Sequence, residues 1–523
     1  MSVASQAVTN GRPTLGDSQI AYFDVNLTPS LDRSATVPVS VASSVPASAT
    51  AVVVPVLSNG APPSELGLDR AALQAAGFTG KAGQTLVVPR NDGPTLVAVG
   101  VGDSSQIDAA GLRDAAAAFT RASATHERLA IRLNDTGQVQ PEEAARAVVE
   151  GVLLARYRYD PFHTHPTTVR LSELTLVADG DRAEGIRKGA EQGRLMAEAC
   201  MLTRDVGNAP PSYMTAERIA DVAQQVAAAH GLEIEVFDRQ ALLELGCGGL
   251  LGVNAGSAHE PRMIKLTYNP SGPSAGRLAL VGKGIMYDAG GINVKPGDAM
   301  HLLMKHDMAG AGAILGAMSS MSELACPSTV VGYLMCTDNM PSGSAMKMGD
   351  VLRIYGGKTV EVQNTDAEGR LVMADALVLA AERDQPDAIV DIATLTGAAM
   401  RTFGSKMAAV LGNDQALVDQ VIAAADRVDE RVWQLPLERR YRRQLDSEIA
   451  DLKNMGDDAN AGTITAALFL EDFVNGLPWA HLDIAGTMSV GADDGWRSWG
   501  ATGFGARLLL NLALAFSPTR SRA

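Results

Sequence analysis

Hydrophobic and polar positions follow two rhythms along this chain. Apolar, β-branched runs such as Ala51–Leu57 and Thr95–Val101 predict short strands, and the Ala-rich patterns Leu112–Ser123 and Glu142–Leu154 that follow predict helices. Their alternation marks an α/β domain over residues 21–180, preceded at 1–20 by a polar stretch expected to form a flexible tail. After the polar break at residues 179–181, residues 181–204 read as one long helix linking this domain to a larger one over 205–523. There the runs Arg277–Val281, Thr329–Cys336, Thr359–Gln363 and Ala388–Ala393 are each followed by a loop or a helical pattern. The polar clusters of interest fall just after such runs, where open α/β sheets place their ligands.

A length of 523 residues exceeds what one ordinary core organises, in agreement with two domains. With 46% hydrophobic residues, a sizeable core is within reach and a wholly disordered chain is excluded. The formal charge is −15 and aromatics are only 4%, which leaves little basic surface for phosphates and few rings to stack bases, so nucleic acid is a poor fit as a partner. Cys200, Cys247, Cys326 and Cys336 form no C-x-x-C pair, so neither a disulfide framework nor a thiolate zinc site is suggested, and a reducing, cytoplasmic setting fits. The chain starts without the basic and apolar pattern of a secretory signal, and Leu508–Phe516 is too short to span a bilayer, so no membrane association is expected.

Four clusters carry candidate chemistry. Residues 281–295 place Lys283, Asp288 and Lys295 on what reads as a glycine-rich loop after a strand; the spacing is not that of a phosphate loop, and Asp288 would repel phosphate. Asp307 stands before a small-residue helix, where it could simply cap. Asp366, Glu368 and Arg370 alternate in Asn364-Thr-Asp-Ala-Glu-Gly-Arg-Leu371, so an extended turn would turn all three to one side. The run 388–393 breaks into Thr394-Leu-Thr-Gly397, a loop able to offer backbone groups to a substrate. Asp288, Asp307, Asp366 and Glu368 together supply the hard oxygen ligands that two divalent cations need. His163 and His165 read as loop residues; His301 and His306, without an H-E-x-x-H context, read as surface histidines.

These residues resemble the leucyl (cytosol) aminopeptidase family of two-metal exopeptidases. The stretch 364–371 matches the family's most specific motif in full, with support from 204–211, 256–262, 281–284, 349–351, 394–397, 461–465 and 479–486. The resemblance implies a C-terminal catalytic domain with a mixed sheet flanked by helices, and a smaller N-terminal α/β domain assigned by position alone. It implies two divalent ions, Zn2+ or Mn2+ with Mg2+ also tolerated. Asp288 and Glu368 would bridge them, Lys283 and Asp307 would complete one site, and Asp366 the other. Lys295 and Arg370 would be the catalytic pair, Lys295 polarising the scissile carbonyl or stabilising the oxyanion and Arg370 holding a bicarbonate that serves as general base. A metal-bridging water would attack short peptides whose free amine binds a metal. Met304, Thr394, Ala485 and Met488 would line a pocket for a leucine-like first side chain, while Leu395 and Gly397 sit on the loop that meets the substrate. The family's assembly is a homohexamer, a dimer of trimers.

Three positions depart from the family pattern. Lys295 and Asp307 are twelve residues apart where the family usually has eleven, an insertion just before the expected ligand Asp307; Ala289 replaces a hydroxyl residue; and 501–505 reads Ala-Thr-Gly-Phe-Gly. Two other readings are weighed against the aminopeptidase. One is a narrow dipeptidase, such as a Cys-Gly hydrolase, which a substrate panel separates. The other is a DNA-binding or scaffold hexamer, which a salt-dependent shift assay separates.

Overall fold

The computed structural model describes residues 24–32, 36–133, 136–456 and 460–519, so the tail expected at 1–20 lies outside the described residues. The chain forms two α/β domains. The first is built on six strands in the order Val39–Ala42, Glu173–Val177, Arg128–Arg132, Ala51–Leu57, Thr95–Gly102, Thr85–Val88, all parallel except the last, an antiparallel edge. The strand Ala51–Leu57 is apolar throughout because both faces are covered: Ala51 and Val53 join the core beneath the helices Ala109–Ala122 and Pro141–Arg156, while Val52, Val54 and Val56 pack with Leu73 and Phe78 on the other side. Local chemistry starts those helices where they begin. Asp108 accepts the Gly111 N–H, and Pro141 opens its helix where no N–H is needed.

The long helix runs over Ala183–Asn208, four residues past its expected end. Its first half lies along Pro141–Arg156 and its second half along Ala309–Met318, so it belongs to both domains.

The second domain is organised by eight strands in the order Val432–Gln434, Ala408–Gly412, Trp479–Asp483, Ala388–Ala393, Arg277–Asp288, Thr329–Asn339, Arg262–Tyr268, Glu233–Phe237. The middle four are parallel and antiparallel pairings flank them, which makes the sheet mixed. One face packs against Ala216–His230, Ala309–Met318, Gln415–Val428 and Ala506–Ala515, and the other against Gly248–Asn254, Gly369–Leu379 and Gly462–Glu471. Among the described residues no helix is long and apolar enough to cross a membrane.

Two expectations are corrected. The run Arg277–Val281 does not break at Gly282-Lys-Gly284 but continues as strand to Asp288. A Cβ at Gly282 would lie 2.8 Å from the Gly310 carbonyl oxygen in the helix beneath, and one at Gly284 2.8 Å from Cys336 Sγ in the neighbouring strand, so these glycines serve close packing on the sheet rather than a loop. The run Thr359–Gln363 yields only the short strand Thr359–Glu361, in a separate three-stranded sheet with Val351–Arg353 and Leu452–Lys453.

The domains are tied by a buried ionic chain. Arg113 and Arg507 both reach Glu150 Oε2, at 2.8 and 2.6 Å, and Arg507 also reaches Glu430 at 3.2 Å, with every side chain at 0–1% exposure where measured in these pairs. Arg507 lies 4.1 Å from the Trp496 ring centroid, and Glu430 Oε2 accepts the N–H groups of Gly505 and Leu508. Removing one partner leaves the others charged and dry. Glu150→Ala is therefore expected to destabilise the protein by roughly 3–5 kcal/mol. Arg187→Ala, which deletes an exposed helix pair with Glu184, is expected to cost no more than about 0.5 kcal/mol. Denaturant melts of the two variants beside wild type check the contrast, and equal losses would contradict it.

Candidate active site

The predicted chemical residues converge at the C-terminal ends of the parallel strands. Lys283 and Asp288 lie on Arg277–Asp288, Thr394 and Leu395 follow Ala388–Ala393, and Ala485 and Met488 follow Trp479–Asp483. Lys283 points toward the helix Gly369–Leu379, where Gly369 makes room for it: a Cβ there would stand 2.7 Å from Lys283 Cε and 2.9 Å from Nζ. The two helices thus pinch the strand from opposite faces at one lysine.

Asp366, Glu368 and Arg370 do not lie along an extended turn as expected. Glu368 already has helical backbone geometry at the N-cap, and Arg370 is inside the first turn. Asp366 accepts from Lys295 and Glu368 from Lys283, whereas Arg370 is buried beneath, within electrostatic reach of Glu368 and Asp483. Asp307 does not cap the following helix, Ala309–Met318, whose N-cap is Met308. Its Oδ2 is 2.8 Å from Lys283 Nζ and its Oδ1 accepts the Thr394 hydroxyl at 2.6 Å. Between Lys295 and Asp307 the chain forms a short helix, Ala299–Leu302, which Asp298 caps through the N–H groups of Met300 and His301.

Charge organises the site. Lys283 Nζ stands 2.8 Å from both Asp307 and Glu368 and donates to the Thr394 carbonyl at 3.0 Å. Lys295 Nζ stands 2.9 Å from Asp288 and 2.5 Å from Asp366. Burial opposes the charge on both lysines, but the surrounding carboxylates outweigh it and hold both well above the ordinary lysine range. Burial pushes Asp307, Asp366 and Glu368 upward, Asp288 adds repulsion to each, and the lysines only partly offset it. Four carboxylates share two ammonium groups. Burial also brings Arg370 down to about 10, against the pull of Glu368 and Asp483, and its Nε and Nη1 are buried without a hydrogen-bond partner.

The residue types and their placement fit divalent cations. Asp288, Asp307 and Glu368 offer oxygen atoms that all lie within 4.8 Å of one another, and Glu368 Oε2 is buried with no partner. Such an oxygen-rich set, under-compensated by its lysines, suits hard or borderline ions. The unpartnered Arg370 donors fit a small anion.

A cavity of about 240 Å3 opens over these groups, and all six residues expected to meet substrate line it: Met304, Thr394, Leu395, Gly397, Ala485 and Met488. The Leu395 N–H donates to Asp483, which leaves the carbonyl as its backbone group to offer. Sequence reasoning missed several residues. Asp483 is the hub of the substrate loop, taking the N–H groups of Leu395, Thr396 and Ala485 and the Thr396 hydroxyl; its only signal was its place in the stretch 479–486. Met300, Met400, Asp298 and His301 also line the cavity. The expectation of surface histidines at 301 and 306 is corrected: His306 is buried and held below its usual range by burial and Lys305, and His301 is half-buried against Tyr287, with Nδ1 3.2 Å from the hydroxyl. Packing against Tyr287 and beside Gly207 of the long helix, invisible in the spacing of the histidines, draws them inward.

Comparison with known proteins gives a consistent answer. Residues 201–510 match the family model described as cytosol aminopeptidase family, catalytic domain, and residues 67–166 match its N-terminal domain. A probable cytosol aminopeptidase from Streptomyces avermitilis is 41% identical over 85% of this chain and 88% of its own. One from Chlorobaculum tepidum is 43% identical over 72% and 76%. The bottromycin maturation enzyme BotP, solved in complex with Mn, superposes with a TM-score of 0.82 at 37% identity, covering 89% of this chain and 99% of that one. Neither the dipeptidase nor the DNA-binding alternative is favoured by these matches. The family match spans both domains and the carboxylate site lies in the matched catalytic one, so the chain belongs to the cytosol aminopeptidase family and is a metal-dependent aminopeptidase, a hydrolase.

Proposed function

We propose that the protein releases leucine-like N-terminal residues from short peptides at this site, using two divalent ions, Mn2+ or Zn2+. The observation that carries the reading is the convergence of four carboxylates on Lys283 and Lys295 beside an apolar-walled cavity. Asp288 and Glu368 would be shared between the ions, Lys283 and Asp307 would complete one set and Asp366 the other. Mn in the BotP structure supports that ion, and Zn2+ and Mg2+ accept the same donors. When bound, the ions would acidify water into a nucleophile at neutral pH and polarise the scissile carbonyl.

The chain's own residues do the rest. With ions bound, Lys283 would serve as a neutral amine, its proton released to solvent as the cations replace it in pairing with Asp307 and Glu368. Lys295, less buried than Lys283, presents its ammonium to the carbonyl oxygen and stabilises the charge that develops there. Arg370 would hold bicarbonate on its unpartnered Nε and Nη1, and that anion would serve as the general base. Met304, Met488 and Ala485 give the first side chain an apolar wall, and Thr394, Leu395 and Gly397 line the cavity beside it. We further propose division at 21–180, 181–204 and 205–523, a homohexamer built as a dimer of trimers, and action in the cytoplasm, in keeping with the names of the relatives.

Hydrolysis of leucine p-nitroanilide tests the reading. Chelation is expected to abolish it and Mn2+ or Zn2+ to restore it, while Lys295→Ala should lower kcat by about 10²–10³-fold, as loss of one oxyanion donor does. Glu368→Ala should remain inactive at every metal concentration. Folded, metal-independent turnover, or full activity in either variant, would overturn the assignment. Pocket size is tested by Ala485→Phe, which should cut kcat/KM for leucine substrates at least about tenfold more than for alanine substrates; equal losses on both would remove Ala485 from the pocket wall.

A further inference from the structure

The orientation of the Asp288 carboxylate is set by an uncharged residue that does not line the cavity. Asn339, 2% exposed, ends the strand Thr329–Asn339, which lies parallel to the strand that ends in Asp288. The pairing of the two strands slips between Thr337 and Asn339, and a slip of this kind re-aims the side chains at a strand end. Asp338 accepts the Ser257 hydroxyl at 2.9 Å, whereas Asn339 Nδ2 donates to Asp288 Oδ1 at 2.9 Å and to the Thr365 carbonyl at 3.0 Å. A carboxylate and a carbonyl only accept, so the amide nitrogen must face them and its oxygen must face away. Gly291 leaves the space for that oxygen, since a Cβ there would lie 2.8 Å from Asn339 Oδ1.

These two bonds join the two arms of the site. Asp288 Oδ1 also accepts the Gly290 N–H at 2.8 Å, so both of its lone pairs are engaged, and Oδ2 is the oxygen left to face Lys295 at 2.9 Å. Thr365 stands next to Asp366 in the other arm. Its hydroxyl accepts the Asn293 N–H at 2.8 Å, and its own N–H donates to Asn293 Oδ1 at 2.9 Å. The Lys295 N–H closes the first arm on the Ala289 carbonyl at 3.0 Å, and the Ala289 N–H in turn donates to the Asn339 carbonyl at 3.0 Å. Asn339 therefore holds, from a third strand, the segment that carries Asp288 and Lys295 and the segment that carries Asp366 and Glu368.

We infer that Asn339 is a positioning residue for the metal site: its amide fixes which oxygen of Asp288 faces the ions and holds that carboxylate in register with the segment bearing Asp366 and Glu368. The inference rests on the two-ion reading of the site and adds the residue that sets its geometry before an ion arrives. Ligands already held in place lose little freedom on binding, and loss of an outer hydrogen-bond partner lowers metal affinity about 10–100-fold.

The test is calorimetric titration of Mn2+ into full-length, chelator-stripped protein for wild type, Asn339→Leu and Asn339→Ala. The leucine keeps the bulk of the side chain without its donor, and the alanine removes both. Tyr268→Phe is the control, because it deletes one buried hydroxyl, 3.0 Å from the Cys326 carbonyl, that touches no residue of the site. Both Asn339 variants are expected to bind Mn2+ about 10–100-fold more weakly than wild type. Their melting temperature should also rise less on Mn2+ addition. At saturating Mn2+ their KM for leucine p-nitroanilide should be unchanged, since Asn339 does not line the cavity. Tyr268→Phe should keep the wild-type affinity. Wild-type affinity in either folded Asn339 variant overturns the inference, as does an equal loss in Tyr268→Phe. Failure of both Asn339 variants to fold overturns it too, by making the residue a support of the fold alone. Absence of Mn2+ binding to wild type would instead mark failure of the two-ion reading itself.

Discussion

Four carboxylates and two lysines meet where water is largely excluded, and the rest of the second domain answers to that meeting. An ammonium group placed between Asp307 and Glu368, as Lys283 is, tolerates little displacement, because any gap leaves charge dry and unpaired. Its strand is therefore clamped on both faces, by Gly310 beneath and Gly369 above, each at a distance that no larger residue could accept. The same demand explains why parallel strands fill the centre of a mixed sheet. Only their C-terminal ends can deliver Asp288, Thr394 and the 485–488 segment to one place from separate points along the chain.

Behind this face lies a second buried layer that supports it without touching substrate. Asp483 gathers the backbone of residues 395, 396 and 485, and Asp391 holds the Trp479 indole at 2.6 Å and His481 at 2.5 Å. These acids fix the loop that walls the cavity, so the positions of Thr394 and Ala485 are set by hydrogen bonds one strand away. Between the domains, Glu150 with Arg113 and Arg507 acts in the same manner, by enclosing charge rather than by matching apolar surface alone.

Much of this was legible in the sequence, though unevenly. The strands Ala51–Leu57 and Ala388–Ala393 were marked to the residue, because strands covered on both faces are apolar throughout. All seven candidate metal and catalytic residues fall in one neighbourhood, since charged groups clustered just past apolar runs have few places to go in an α/β sheet. Periodicity failed where tertiary packing decided. Glycines at 282 and 284 look like a loop until the helix against the first and the strand against the second are known, and the alternation of Asp366, Glu368 and Arg370 looks extended until a helix begins one residue after Glu368. His301 and His306 were misplaced for a related reason: spacing says nothing about which side of a short helix faces the sheet.

The central claim is that the carboxylate cluster is a two-ion site, and the measurement that tests it most directly is calorimetric titration of Mn2+ into chelator-stripped protein. The account predicts two ions bound per chain in wild type, with binding at both lost or severely weakened in Asp288→Ala, the residue proposed to serve both ions. A single ion per chain, or two ions retained undiminished in that variant, would contradict it.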